Sequence, residues 1–137
     1  MAHSSQALVI SCSDPRLNAG GIEAVIVREM ICSNQNFDRL IWPGGGKDLL
    51  STDPAIVDYW LAAIKKLWEL HHFPKIVLIW HDTCGAYGIS NLHEEETTQT
   101  TDLAAITQLL AEKFSQLTVE RFILQGTDTG DFSLKRV

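Results

Sequence analysis

Two short segments of the sequence carry side chains whose types and spacing could support chemistry, and each segment follows a continuous apolar run. The residues are Cys12, Asp14 and Arg16 in the first segment, and His81 and Cys84 in the second. A short apolar run is typical of a strand buried on both faces of a sheet. Together the segments supply two thiols and an imidazole, a ligand set that suits zinc, beside a carboxylate and a guanidinium.

The first segment has the pattern Cys-x-Asp-x-Arg. Alternate side chains of an extended chain point the same way, and Pro15 disfavours the helical conformation for Asp14. Cys12 and Asp14 can therefore face one site, with Arg16 within reach of the carboxylate, which it can hold bidentately. Taken alone, the segment is more simply explained by a buried structural cysteine followed by an Asp-Pro turn.

The second segment has the pattern His-x-x-Cys-Gly. The two-residue gap lets His81 and Cys84 meet one metal ion from a tight turn, and Gly85 permits close approach of the backbone. A core histidine and a small apolar cysteine would explain the segment on its own. Paired with Cys12 at the end of another strand, it predicts one metal site with three protein ligands.

The order of elements predicts the fold. Apolar runs predict strands at 7–10, 39–42, 75–80 and 119–124, and a short edge strand at 132–137. Helical spacing predicts helices at 18–31, 54–70 and 102–114, with residues 94–96 in a solvated loop before the last helix. Strands that alternate with helices form crossover units. We therefore expect an α/β fold: a mostly parallel four-stranded sheet with helices on both faces and a short antiparallel C-terminal edge strand.

Ligands of such sheets bind beyond the carboxyl ends of the strands, and both segments lie there. So does the glycine run that follows the second predicted strand. Backbone N–H groups of Gly44 and Gly45 could line an anion or a small substrate, and with Gly85 they form the predicted substrate pocket. A flexible exit from the strand is the alternative explanation of the glycines.

Composition limits the classes of function. The chain has 137 residues, 45% of them apolar and 20% charged, which fits a single domain spanning 1–137. The net charge of −6 argues against nucleic acid or an anionic membrane as a partner. No apolar run is long enough to span a bilayer, and residues 1–6 lack the apolar core of a signal peptide, so we expect a cytoplasmic protein. Cys32, the remaining cysteine, is expected to serve packing.

The paired motifs resemble those of the β-class carbonic anhydrases. The resemblance rests on Cys12, Asp14 and Arg16 together with His-x-x-Cys-Gly at 81–85, and it runs from about residue 7 to the C-terminus. It implies that Cys12, His81 and Cys84 are zinc ligands. It also implies that Asp14 and Arg16 form the catalytic carboxylate–guanidinium pair, with Asp14 able to act as a fourth ligand.

The same resemblance implies an activity and an assembly. The activity is that of a lyase, the reversible hydration of carbon dioxide to bicarbonate by a zinc-bound hydroxide, and the assembly is a homodimer or a larger homo-oligomer. The sequence departs from the family in three places. It offers no counterpart of the N-terminal helical arm, residues 41–43 replace the usual Arg-Asn-Ala before the glycine run, and residues 20–31 are built differently.

Three alternatives remain open at the level of sequence. The altered residues 42–46 could adapt the site to other linear molecules such as CS₂ or COS. Asp14 could close the zinc site, which would leave a non-catalytic zinc domain. Cys12 could instead be a redox or phosphatase-type thiolate in a metal-free protein, with Arg16 binding phosphate.

Overall fold

A computed structural model describes residues 3–137 and contains one sheet of five strands in the order β2-β1-β3-β4-β5. The strands are β1 (Leu8–Cys12), β2 (Asp38–Trp42), β3 (Lys75–His81), β4 (Thr118–Gln125) and β5 (Ser133–Arg136). The first four are mutually parallel, and β5 pairs with β4 in the antiparallel sense. The predicted α/β fold, with its antiparallel C-terminal edge strand, is confirmed.

Four α-helices connect the strands. They are α1 (Pro15–Asn18), α2 (Ile22–Met30), α3 (Pro54–His71) and α4 (Leu92–Lys113), with short 3₁₀ turns at Ala19–Gly21 and Lys47–Leu50. Asp53 caps α3 by accepting a hydrogen bond from the backbone N–H of Ala55, as the Asp-Pro pair predicts. Within residues 3–137, no helix combines the length and apolar character that crossing a bilayer requires.

Strand β1, which lies between β2 and β3, is buried along its whole length because the sheet is covered on both faces. Its alternate side chains enter two cores. Leu8 and Ile10 pack with residues of α3 and α4, such as Ile64 and Ile106. On the other face, Val9 packs in a second cluster that also contains Leu17, Val27 and Cys32. Cys32 therefore lies among packed apolar side chains, as expected.

The helix predicted at 18–31 is interrupted. Gly20 and Gly21 have φ angles of 79° and 72°, which lie in the left-handed region. Glycine adopts these angles without steric cost, so the chain turns between α1 and α2 and does not form one continuous helix.

Helix α4 begins at Leu92, not at residue 102, so the prediction of a solvated loop at 94–96 is wrong. Asn91 caps the helix, its side-chain oxygen accepting a hydrogen bond from the N–H of Glu94 at 2.9 Å. Acidic residues in the first turn interact favourably with the helix dipole. Glu95 and Gln99 are buried, on the face that continues into the apolar core.

Candidate metal centre

The predicted ligands meet because β1 and β3 are adjacent parallel strands. Ser11 pairs with Ile79, so Cys12 and His81 leave the sheet side by side. The ligand atoms of Cys12, His81 and Cys84 all lie within 4.8 Å of one another, and the two sulfur atoms are 4.0 Å apart. Two Zn–S bonds of about 2.3 Å at a tetrahedral angle would place the sulfur atoms about 3.8 Å apart. The spacing therefore fits a tetrahedral zinc ion.

The two ring nitrogens of His81 have different surroundings, and Nε2 is the one available to a metal ion. Its side chain is 1% exposed, and Nδ1 lies 2.7 Å from the carbonyl oxygen of Asp82. A carbonyl can only accept a hydrogen bond, so the proton resides on Nδ1. The other nitrogen, Nε2, is buried without a hydrogen-bond partner. A buried, unpaired imidazole nitrogen beside two thiols is the arrangement expected of a metal ligand whose orientation is fixed from behind.

The two thiols form a hydrogen bond with each other. Hydrogen bonding from Cys84 lowers the pKa of Cys12, and the nearby His81 and the N–H of Gly44 lower it further, although burial acts in the opposite direction. Cys84 has a raised pKa because it keeps its proton to donate a hydrogen bond to Cys12 and is itself buried. Burial would lower the pKa of His81, but the Cys12 thiolate outweighs it and raises the pKa. Cys12 is thus the more acidic thiol of the pair.

Asp14 and Arg16 form a closed ion pair beside the cluster. The Nε and Nη2 atoms of Arg16 donate to the two carboxylate oxygens of Asp14 at 3.0 and 2.7 Å. Arg16 is also the main reason that the pKa of Asp14 lies below its usual value. Oδ2 of Asp14 lies 3.8 Å from Nε2 of His81, so the carboxylate stands at the edge of the group of ligands. Asp14 also caps α1 through the N–H of Arg16.

Thr83 links this ion pair to the second ligand segment. Its φ angle is 52°, a left-handed conformation that is costly for a β-branched residue. Arg16 donates to its side-chain hydroxyl at 3.0 Å and to its carbonyl at 2.9 Å. Arg16 also binds Asp128, in the turn after β4. Neither Thr83 nor Asp128 belongs to a recognisable motif, so the sequence alone does not identify them as partners of Arg16.

The predicted pocket glycines lie in different surroundings. Gly44 and Gly45 are buried, and the N–H of Gly44 lies 3.4 Å from the sulfur of Cys12. A Cβ at Gly44 would approach that of Ala86 to 3.1 Å, so this turn packs closely against the ligand loop. Gly85 is exposed, and a Cβ there would meet nothing within 4 Å. Crowding within the chain therefore accounts for glycine at position 44 but not at position 85.

Asp82 braces the ligand segment from the other side. Its two carboxylate oxygens accept hydrogen bonds from the N–H groups of Gly126 and Thr127, at 2.9 and 3.0 Å. Burial alone would raise the pKa of Asp82, but the hydrogen bonds from Thr127 and Gly126 outweigh it and hold the pKa below its usual value. The residue between His81 and Thr83 therefore ties the loop to the end of β4.

Solved structures with a similar fold include β-carbonic anhydrases. Isoform I from Trichomonas vaginalis aligns with a TM-score of 0.58 at 16% identity, over 97% of this chain and 83% of that one. A tetrameric β-carbonic anhydrase from Sordaria macrospora gives 0.54 at 18% identity, over 99% and 82%. The β-carbonic anhydrase CcaA gives 0.51 at 15% identity, over 97% and 80%. The chain has the β-carbonic anhydrase fold.

Comparison of sequences is less informative than comparison of folds. No protein-family model matches the chain. An uncharacterized protein of Rickettsia conorii is 32% identical over 128 residues, which cover 85% of this chain. The match spans 66% of that relative, slightly less than two thirds of its length. The comparisons therefore show a likeness to the β-carbonic anhydrases in the fold alone.

Replacing Asp82 by Asn tests the brace, and the metal-free protein is the appropriate sample. We expect a loss of about 1–2 kcal/mol in the free energy of unfolding at pH 7, because an ionised acceptor of two N–H groups becomes a neutral amide. A carboxyl group whose pKa is depressed by folding stabilises the fold above its unfolded pKa of about 3.9. The difference between the two proteins should therefore shrink as the pH falls below about 4.

Urea denaturation at a series of pH values measures this difference. The Asp131→Asn variant is the control, since Asp131 is exposed in the same turn region. A deficit in Asp82→Asn that stays constant down to pH 3, or an equal deficit in the control, would contradict the assignment.

Proposed function

We propose that the chain is a zinc-dependent lyase that hydrates carbon dioxide reversibly to bicarbonate. The observation that carries the proposal is the convergence of Cys12, His81 and Cys84, with ligand atoms within 4.8 Å, on a β-carbonic anhydrase fold. The ion pair of Asp14 and Arg16 beside them supplies a carboxylate and a fixed cation. We propose that these five residues act within one domain.

The donor set determines the chemistry that zinc would supply. A zinc ion held by Cys12, His81 and Cys84 would act as a Lewis acid that lowers the pKa of a bound water towards about 7. Two thiolates balance the charge of Zn²⁺, so the water should be less acidic than at a site made of histidines alone. Activity should therefore rise on the alkaline side of neutrality.

We propose that Asp14 accepts a hydrogen bond from the attacking water. Its carboxylate is held by Arg16, and its pKa lies below the usual range because of that guanidinium, so it is ionised at neutral pH. An ionised carboxylate can accept a hydrogen bond and orient the water for attack. If Arg16 were absent, the free carboxylate could turn towards the metal and close the site. We infer that Arg16 keeps Asp14 in the accepting position.

A second copy of the chain is the proposed occupant of an apolar groove beside β2. The groove has a volume of about 520 Å³ and is lined by residues of β2 and α3. Trp42 is 52% exposed and Tyr59 is 78% exposed. Within residues 3–137, β2 pairs only with β1, so one edge of the sheet is open beside this apolar surface. An open edge and an apolar patch are features of association surfaces. We propose a homodimer or a larger homo-oligomer.

Zinc binding and hydration activity are tested together by replacing cysteines. We expect the protein purified without added zinc to hold one ion per chain and to hydrate carbon dioxide. Cys84→Ser should lose most of the metal and the activity, since an alcohol does not replace a thiolate ligand at neutral pH. Metal analysis and a stopped-flow hydration assay measure the two properties.

Cys32→Ser is the matched control, because Cys32 is also a buried free cysteine but lies in the apolar core away from the ligands. It should keep its zinc. A metal-free wild-type protein would refute the proposal. A wild-type protein with one zinc ion that turned over COS or CS₂ but not carbon dioxide would retain the metal site and change the substrate.

Replacing Arg16 by Ala tests the role of the guanidinium. We expect hydration activity to fall by about 10-fold to 100-fold, the range found when a group that orients a metal site is removed. Zinc content should remain. X-ray absorption spectroscopy of the bound zinc should show that a carboxylate oxygen has replaced the water ligand.

Arg28→Ala is the control for loss of an arginine, since Arg28 is exposed on α2. An Arg16→Ala protein with the activity of the wild type and an unchanged zinc spectrum would rule out the positioning role of Arg16.

Self-association is tested on α3. Tyr59→Glu should weaken association by more than about tenfold, because it places a charge in the apolar groove. Leu70→Glu is the control, since Leu70 is an exposed apolar residue of the same helix outside the groove. Light scattering over a range of concentrations gives the molar mass. Identical behaviour of the two variants, or a wild-type protein that is monomeric at every concentration, would exclude this surface.

A further inference from the structure

Glu95 is a buried carboxylate that the proposed chemistry does not use. It is 1% exposed and lies in the first part of α4. An ionised carboxylate removed from water costs several kcal/mol unless its oxygens are hydrogen-bonded. In the part of the chain that the structure describes, no lysine, arginine or histidine forms an ion pair with it. Its position therefore depends on other donors.

Those donors are two backbone N–H groups of the ligand loop. Oε1 of Glu95 accepts from the N–H of Thr83 at 2.7 Å, and Oε2 accepts from the N–H of Cys84 at 3.0 Å. One turn further along α4, Nε2 of the buried Gln99 donates to the carbonyl of His81 at 2.8 Å. Residues four apart lie on the same face of a helix. One face of α4 is thus hydrogen-bonded to the backbone of both candidate ligands, His81 and Cys84.

Thr83, which Glu95 contacts through its backbone, has a strained conformation. Thr83 has a φ angle of 52°, a left-handed conformation that is sterically unfavourable for a residue other than glycine. Its N–H goes to Glu95, and its hydroxyl and carbonyl go to Arg16. Every polar group of Thr83 is therefore engaged. This conformation turns the chain back so that Cys84 reaches Cys12.

We propose that Glu95 is a positioning residue of the metal centre, which holds Thr83 in its left-handed conformation and thereby brings Cys84 into place as a ligand. The inference rests on the proposed zinc site and deepens it. Glu95 does not touch the ligand atoms; it acts through the backbone of the loop. Its effect is to form the site before metal arrives, so that binding does not have to order the turn.

The test compares two isosteric replacements. Glu95→Gln keeps the shape of the side chain but turns one acceptor into an NH₂ donor, which cannot accept from a backbone N–H. Glu94→Gln makes the same change of charge on the exposed neighbouring residue. Competition with a chelator should show zinc binding about 10-fold to 100-fold weaker in Glu95→Gln and unchanged in Glu94→Gln. If Glu95→Gln does not fold, Glu95→Asp, which is too short to reach both N–H groups, takes its place.

The Thr83→Gly variant tests whether Glu95 acts by holding residue 83 in its left-handed conformation or only by stabilising the loop in general. Glycine adopts a positive φ without strain, so a loop with Gly at position 83 needs Glu95 less. In the Thr83→Gly background, the loss caused by Glu95→Gln should shrink to about threefold or less, since residues that act on one another are not additive. Equal losses in both backgrounds would overturn the proposal, and so would a Glu95→Gln protein that binds zinc as Glu94→Gln does.

Amide hydrogen exchange of the metal-free protein gives a readout that does not depend on zinc. The N–H groups of Thr83 and Cys84 should exchange at least about tenfold faster in Glu95→Gln than in Glu94→Gln. Unchanged exchange would overturn the positioning role. If the wild-type protein bound no zinc, the proposed function would fail, while this measurement would still decide whether Glu95 holds the loop.

Discussion

The parallel pairing of β1 with β3 is the constraint on which the candidate site depends. The two strands run side by side from Leu8 opposite Ile76 to Ser11 opposite Ile79. Both are buried between layers of helices, where a shift of register would expose apolar side chains and leave backbone groups unpaired. Their carboxyl ends are therefore fixed relative to one another. Cys12 and Cys84, which are 72 positions apart in the chain, come within 4.0 Å as a result.

Fixed strand ends do not by themselves form a metal centre, because Cys84 lies on the turn that follows β3. That turn is held by polar groups from three directions: Arg16 from α1, Glu95 from α4, and the N–H groups at the end of β4 that bind Asp82. The carboxylates of Glu95 and Asp82 are satisfied by backbone donors, which offsets the cost of removing them from water. The carboxylates buried around His81 thus have hydrogen-bond partners. The imidazole nitrogen without a partner is the one that faces the sulfur atoms.

The two edges of the sheet differ in a way that bears on assembly. At one edge, β5 is short, and its exposed residues include Lys135 and Arg136, which discourage pairing with another strand. At the other edge, β2 itself carries exposed apolar residues, Ile41 and Trp42. Trp42 ends the strand that leads into the glycine turn, whose Gly44 touches Cys12. The surface proposed for association and the proposed metal site are therefore connected through a few residues.

The sequence by itself determined the features that local pattern controls. Continuous apolar runs specified the strands, the Asp-Pro pair specified the start of α3, and the spacing of Cys12, His81 and Cys84 specified the candidate ligands. The sequence pattern did not reveal the break at Gly20 or the start of α4 at Leu92. Glu95 and Gln99 lie on the buried face of α4, but their polar side chains do not continue its apolar pattern. Only the tertiary structure revealed the burial of Glu95 and the left-handed turn at Thr83. Both result from contacts between segments far apart in the chain, which no local pattern encodes.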